Sequence, residues 1–139
     1  MVTFDVRGRV HQRGQPTFDT NPAATYVSQT APLNPTTFGY DILSRSTQVS
    51  SPDSNSPTGQ AVTTTAYSVS PFDGIKRLRT DLTDPLNHVH TSFADTRGLT
   101  IGIQQSNNYG TFPGGTIETL TTRYAYDALK QSLKQSPPG

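Results

Sequence analysis

From Phe72 to Ile103, apolar and polar residues alternate in three runs separated by turn-forming residues. In the first run Leu78, Thr80 and Leu82 fall on one side, and Arg77, Arg79 and Asp81 on the other. Asp84-Pro85 breaks the pattern, after which Val89, Thr91 and Phe93 share a face. A second turn, Ala94 to Gly98, precedes Leu99, Ile101 and Ile103, which alternate with Thr100, Gly102 and Gln104. Period two bounded by Asp, Pro and Gly predicts strand, turn, strand, turn, strand. The same reading extends outward. Phe38, Tyr40 and Ile42 alternate, and Ala61 to Val69 is a Val- and Thr-rich run halted by Pro71. Thr116 to Tyr126 sets Leu120, Thr122, Tyr124 and Tyr126 on one face. A short strand is expected near Tyr26-Val27, and the tail from Ser132 is expected to fray. The fold class is all-β: repeated antiparallel β-hairpins forming part of a β-solenoid or shell, with long polar loops.

A repeat underlies the alternation. Aromatic-Asp pairs occur at Phe4-Asp5, Tyr40-Asp41, Phe72-Asp73 and Tyr126-Asp127, and a displaced copy at Phe93-Ala94-Asp95. The Asp positions 5, 41, 73, 95 and 127 are separated by 36, 32, 22 and 32 residues. The longer separations each hold a polar loop, so the unit is about 22 residues and the loops are insertions on one rim. About five units follow, at 1–13, 37–49, 61–82, 88–104 and 116–132, with loops at 14–36, 50–60 and 105–115. Phe72 to Ile103 is the stretch in which the unit stands without an insertion.

Each position has a physical task. The aromatic ring ends a strand and can stack on the next copy. The Asp starts a turn by accepting backbone N–H groups. A Gly three residues on, as Gly8 follows Asp5, permits positive φ. A following Arg, as at Arg9, Arg45 and Arg77, can pair with the Asp or lie over an aromatic face.

Composition narrows the picture. Only 31% of the 139 residues are hydrophobic, against eleven Gly and eleven Pro, which suits short strands and many turns rather than a helical bundle. So small an apolar supply makes the isolated chain poorly stable, with exposed strand edges prone to aggregation. Net charge is +1, which makes no electrostatic case for nucleic acid or an anionic membrane. The tightest basic group, Lys76-Arg77-Arg79, has Asp73 and Asp81 beside it. There is no Cys, hence neither a disulfide framework nor a thiolate metal site. No apolar run is long enough for a membrane span, and the first ten residues carry no apolar signal-peptide core.

Candidate chemistry is sparse. His88 and His90, with Asp84 nearby, offer two or three metal ligands, but the alternation turns both His away from the Val89-Thr91-Phe93 face into solvent. Asp81 with Asp84, or Asp5 with Asp41, offers a carboxylate pair for hydrolysis, yet one Asp per unit is better explained by turns. No G-x-S-x-G, Walker or dinucleotide motif is present. The reading therefore assigns no catalytic residue, no metal and no cofactor. Its residues of interest are the repeat positions Phe4, Asp5, Gly8, Arg9, Tyr40, Asp41, Arg45, Phe72, Asp73, Arg77, Phe93, Asp95, Tyr126 and Asp127.

FDVRGRV, YDILSRS, FDGIKRL and YDALKQS resemble the YD repeat of Rhs proteins, whose signature is roughly YDxxGRL with a DPxGN segment about ten residues later. TDPLNH at 83–88 is similar to that second half, and RYAYDAL at 123–129 to the start of another copy. Ser44 and Lys130 stand where the pattern has Gly, Gln131 where it has Arg, and Asn87-His88 where it has Gly-Asn. The resemblance implies a non-enzymatic hairpin-solenoid shell that encloses or presents a toxin or effector domain. It implies neighbouring YD repeats as partners, a secreted or cell-surface setting, and a chain that is a fragment of a longer protein. An alternative is an extracellular module binding glycans or a protein through its loops and exposed aromatics. A third class, an enzyme, has the least support.

Overall fold

The computed structural model describes residues 1–16, 31–107, 118–129 and 131–136. The expected strand near Tyr26-Val27 lies outside them. The described residues form ten strands and no helix, so the chain is all-β. Two compact units are distinguished, Met1–Thr63 and Thr64–Gly139.

The first unit holds β1 (Val2–Phe4), β2 (Val10–Arg13), β3 (Thr36–Tyr40) and β4 (Ser46–Pro52). Each strand pairs antiparallel with the next, with Thr3 opposite Gln12, Gln12 opposite Thr37 and Phe38 opposite Val49. β5 (Gln60–Phe72) begins in this unit and continues into the second. Gln60 is tied to β4 through a hydrogen bond from the buried Ser50 hydroxyl. The aromatic-Asp turns at Asp5 and Asp41 close alternate hairpins and so lie at the same end of this unit's meander.

The second unit continues with β6 (Ile75–Thr83), β7 (Val89–Ala94), β8 (Thr100–Asn107), β9 (Glu118–Tyr126) and β10 (Ser132–Ser136). Pairing is again antiparallel and sequential. The turns at Asp73, Asp95 and Asp127 share one end of it, and the Asp84 turn occupies the other.

The packed face of the second unit follows from register. Phe93 stands opposite Arg79 on one side and Gly102 on the other, and Thr91 opposite Asp81 and Gln104. Directly paired residues point to the same face, so Phe93, Thr91, Arg79, Asp81 and Gly102 lie together. Phe72 reaches over this face and stacks on Phe93 with ring centroids 4.5 Å apart and planes 22° apart. These two rings are 6% and 3% exposed and are the buried hydrophobic side chains among the described residues. Gly102 lies directly beneath Phe72, where an added Cβ would penetrate the ring. The face is otherwise polar. Asp81 takes a hydrogen bond from Arg79 Nε at 2.9 Å and one from the Thr91 hydroxyl at 2.5 Å.

Several strand limits differ from those read in the sequence. The loop expected at 50–60 shortens to 53–59, because β4 runs through Pro52 and β5 starts at Gln60. β8 continues to Asn107, and β3 starts at Thr36. The tail expected to fray from Ser132 pairs with β9 as β10, with Gln135 opposite Tyr124. Leu78 and Leu82 lie on the face opposite Phe93 and remain half exposed, since Leu78 pairs with Ala94 while Arg79 takes the position beside the ring.

Candidate functional site: the aspartate-anchored turns

Four turns share one hydrogen-bond scheme. The N–H of Asp5, Asp41, Asp84 and Asp95 donates to the carbonyl four residues on, and each Asp carbonyl accepts the N–H three residues on. Each carboxylate closes the loop from inside. Its Oδ1 accepts the N–H groups two and four residues later: Arg7 and Arg9 for Asp5, Leu43 and Arg45 for Asp41, Leu86 and His88 for Asp84, Arg97 and Leu99 for Asp95. One short side chain thus satisfies donors that the tight turn withholds from the strand ladder. Asp127 follows the scheme where it is described, with its N–H on the Gln131 carbonyl and its Oδ1 on the Gln131 N–H.

The residue three beyond each Asp adopts positive φ, at 76° for Gly8, 64° for Ser44, 65° for Asn87 and 79° for Gly98. Ser and Asn therefore enter a backbone region that Gly occupies freely. β-Bulges at the ends of the β1, β3 and β7 pairings accompany these loops.

The second carboxylate oxygen takes a cation. Asp5 Oδ2 accepts Arg9 Nε at 2.7 Å, Asp41 Oδ2 accepts Arg45 Nε at 2.6 Å, and Asp95 Oδ2 accepts Arg97 Nε at 2.8 Å. His88 Nδ1 stands 2.8 Å from Asp84 Oδ2 in the same place. The Arg9 side chain, followed by the Arg9 and Arg7 N–H groups and against the effect of burial, lowers the Asp5 carboxyl to about 2. Burial works upward on Asp41 and Asp95, but N–H and guanidinium hydrogen bonds outweigh it and hold both below the usual range. Asp84 is lowered by the His88 N–H and side chain, with burial opposing.

Arginines then reach from one copy to the next. Arg9 Nη1 donates to the Asp41 carbonyl at 3.0 Å while its guanidinium lies 4.6 Å from the Tyr40 ring centroid. Arg7 Nη1 donates to the Ile42 carbonyl at 2.8 Å. In the second unit Arg97 Nη1 donates to the Asp127 carbonyl at 3.3 Å. Tyrosines reach back: the Tyr40 hydroxyl donates to Val10 and the Tyr126 hydroxyl to Thr100, both at 2.9 Å. Val10 and Thr100 each lie five residues after their Asp, so the two links are equivalent.

Asp73 departs from the scheme. Phe72 pairs directly with Ile75, leaving a two-residue turn in which Asp73 and Gly74 have φ of 51° and 78°. This contiguous copy, the one that looked most regular in sequence, has the irregular turn. Asp-Gly suits a two-residue hairpin with positive φ at both positions, and the longer loop is not formed. The Asp73 carboxylate instead accepts Arg123 Nε and Nη2 at 3.2 and 3.1 Å. That hydrogen-bonded guanidinium lowers the Asp73 carboxyl against burial, with the Arg123 and Arg77 charges assisting, and the Arg123 pKa rises in return. Arg77 occupies the place of Arg9 and Arg45, four residues after its Asp, yet its buried Nε has no hydrogen-bond partner among the described residues. Phe72, Asp73, Arg77, Ile101, Arg123 and Tyr124 line a cleft of about 320 Å³.

Phe4, like Tyr40 and Tyr126, directly precedes a turn Asp, and Phe93 lies two residues before Asp95. Of the other candidates, Asp81 is held by Arg79 and Thr91 and Asp84 by its own turn. His88 stands against Asp84 and His90 against Gln105. Among the described residues no three His, Cys, Asp or Glu side chains gather as a metal site. Among them, too, no helix is long and apolar enough to cross a membrane. Sequence reading singled out neither Arg97 nor Arg123. Arg97 sits two rather than four residues after its Asp, and Arg123 pairs across fifty residues, beyond any local pattern. No family model, curated protein or solved structure matches the chain.

Proposed function

We propose that this chain is a structural segment of a YD-repeat shell of the Rhs type, whose role is to enclose or present a toxin or effector domain. One observation carries the reading. The Arg9–Asp41 and Tyr40–Val10 links recur as Arg97–Asp127 and Tyr126–Thr100, so the recurring chemistry of the copies joins the Asp5 turn to the Asp41 turn and the Asp95 turn to the Asp127 turn. Side chains committed to turns and to neighbouring copies suit a wall, in which each unit is completed by the adjoining one. On this reading the partners are further YD repeats and an enclosed domain, and the setting is secreted or cell-surface.

The test is the natural gene and its product. Further aromatic-Asp copies in the encoded polypeptide, together with an effector domain that resists protease until the repeat region is opened, would support the shell. A gene product without further copies or an effector would sink it. So would glycan-array binding that depends on the loops, which belongs to the module reading.

A further inference from the structure

Asp73-Gly74 is the single Asp-Gly pair in the chain, and Asn-Gly does not occur. An Asp carboxyl can react with the backbone nitrogen of the residue that follows it. The rate depends on that residue and on what holds the carboxyl. Both conditions set Asp73 apart from the other turn aspartates. Val6, Ile42 and Thr96 follow Asp5, Asp41 and Asp95, and their β-branched side chains crowd the attacking nitrogen. Pro85, after Asp84, has no N–H, and Asp127 is followed by Ala128. Gly74 has no side chain, and nothing lies within 4 Å of where a Cβ would stand.

The carboxyl is also held differently. At Asp5, Asp41, Asp84 and Asp95 the Oδ1 atom accepts two backbone N–H groups of its own turn. Those side chains are between 9% and 38% exposed. Asp73 accepts no backbone N–H among the described residues, and its side chain is 55% exposed. Its hydrogen bonds come from the Arg123 guanidinium. Asp73 also sits at φ 51°, a region that side-chain-bearing residues rarely adopt, so a rearranged main chain releases strain.

We infer that Asp73-Gly74 is a site of spontaneous isomerisation to isoaspartate, and that Arg123 is the residue restraining it. The Gly74 nitrogen attacks Asp73 Cγ and a C–N bond forms. The carboxyl hydroxyl departs with the amide proton as water, leaving a succinimide. Water then adds back. Opening at the former Asp73 main-chain carbonyl leaves the chain running through Cγ, one methylene longer and unchanged in mass. The neutral acid reacts, because the carboxylate anion has no hydroxyl to lose as water. Arg123 favours the anion and so slows the step. A two-residue turn lengthened in this way cannot keep Phe72 opposite Ile75. The site is separate from the shell role and stands or falls without it.

The test ages the full chain in mildly acidic buffer, digests it and separates the peptides. Electron-transfer fragmentation distinguishes isoaspartate from aspartate by cleavage at the added main-chain carbon. Isoaspartate should accumulate at Asp73 several-fold faster than at Asp5, Asp41, Asp84 or Asp95. Gly74→Asn, which tolerates positive φ but crowds the nitrogen, should slow it several-fold. Arg123→Gln should accelerate it several-fold in the folded chain. The difference between Arg123→Gln and the unaltered chain should vanish in urea, where the ion pair is absent. No preference for Asp73, a rate unchanged by Gly74→Asn, or a folded-state rate unchanged by Arg123→Gln would overturn the assignment. Should Arg123→Gln fail to fold, Arg123→Lys takes its place. It keeps the charge but loses the fork, and an unchanged rate there would overturn the assignment equally.

Discussion

The Tyr126 hydroxyl donates to the Thr100 carbonyl at 2.9 Å, spanning twenty-six residues to fasten the start of one turn to the strand leaving the previous one. Tyr40 does the same to Val10. Both bonds are partly buried, so removing either leaves a strand carbonyl short of a donor. Tyr126→Phe and Tyr40→Phe are each expected to cost about 1 kcal/mol, measured by urea denaturation. A loss near zero in both would mean that the hydroxyls do not hold the copies together.

Gly102 sets a packing limit. Gly102→Ala places a methyl group inside the Phe72 ring, and displacing that ring is expected to cost about 1–3 kcal/mol. Phe93→Ala, which removes the ring's stacking partner, is expected to cost about 3 kcal/mol or more. Combining Gly102→Ala with Phe72→Leu should cost less than the sum of the two single changes, since the smaller side chain yields room. Strict additivity in denaturation midpoints would argue against contact at this point.

The positive-φ residues should respond unequally. Gly98→Ala forces a Cβ into the left-handed region and is expected to cost about 1–2 kcal/mol. Ser44 already bears that strain at 64°. Ser44→Gly relieves it but frees the unfolded chain by about 0.4–1 kcal/mol, so the net change should be small or slightly stabilising. Thermal melts of both variants check the contrast, and a marked loss on Ser44→Gly would contradict it.

Acid should weaken the turns in a defined window. Asp5 is lowered in the fold from 3.8 to about 2, and Asp41, Asp84 and Asp95 are lowered as well. Lowered carboxyl pKa values mean that the unfolded chain binds protons first. The contribution is therefore complete above about pH 5 and lost as pH falls through the unfolded value toward about 2. Urea midpoints should be level from pH 7 to pH 5 and then decline, less steeply in Asp5→Asn. An equally steep decline in that variant would remove Asp5 from the account.

Much of this architecture is legible in the chain because each cue is local. Alternation around Val89, Thr91 and Phe93 marks a strand, and Asp with Gly three residues later marks a turn whose bonds span only five positions. Legibility fails where two local cues compete. Asp73-Gly74 carries both the aromatic-Asp signature and the strongest two-residue hairpin dipeptide, and the shorter turn forms. It fails again where register decides. Leu78 and Arg79 are adjacent, and only the pairing of Arg79 with Phe93 reveals that the leucine lies on the half-exposed face. The Asp73–Arg123 pair and the bare Arg77 Nε follow from those two choices together.

The links of Arg7, Arg9 and Arg97 and those of Tyr40 and Tyr126 run in opposite senses: these guanidinium groups point toward later residues and the phenol groups toward earlier ones. Such a ladder has a head and a tail, so a copy inserted in reverse order would offer donors to donors. These five rungs close within about 26–35 residues of chain, whereas the Asp73–Arg123 pair spans fifty. A growing polypeptide can lock the Asp5 and Asp95 turns as soon as the Asp41 and Asp127 turns have been made, which favours stepwise assembly of these pairs.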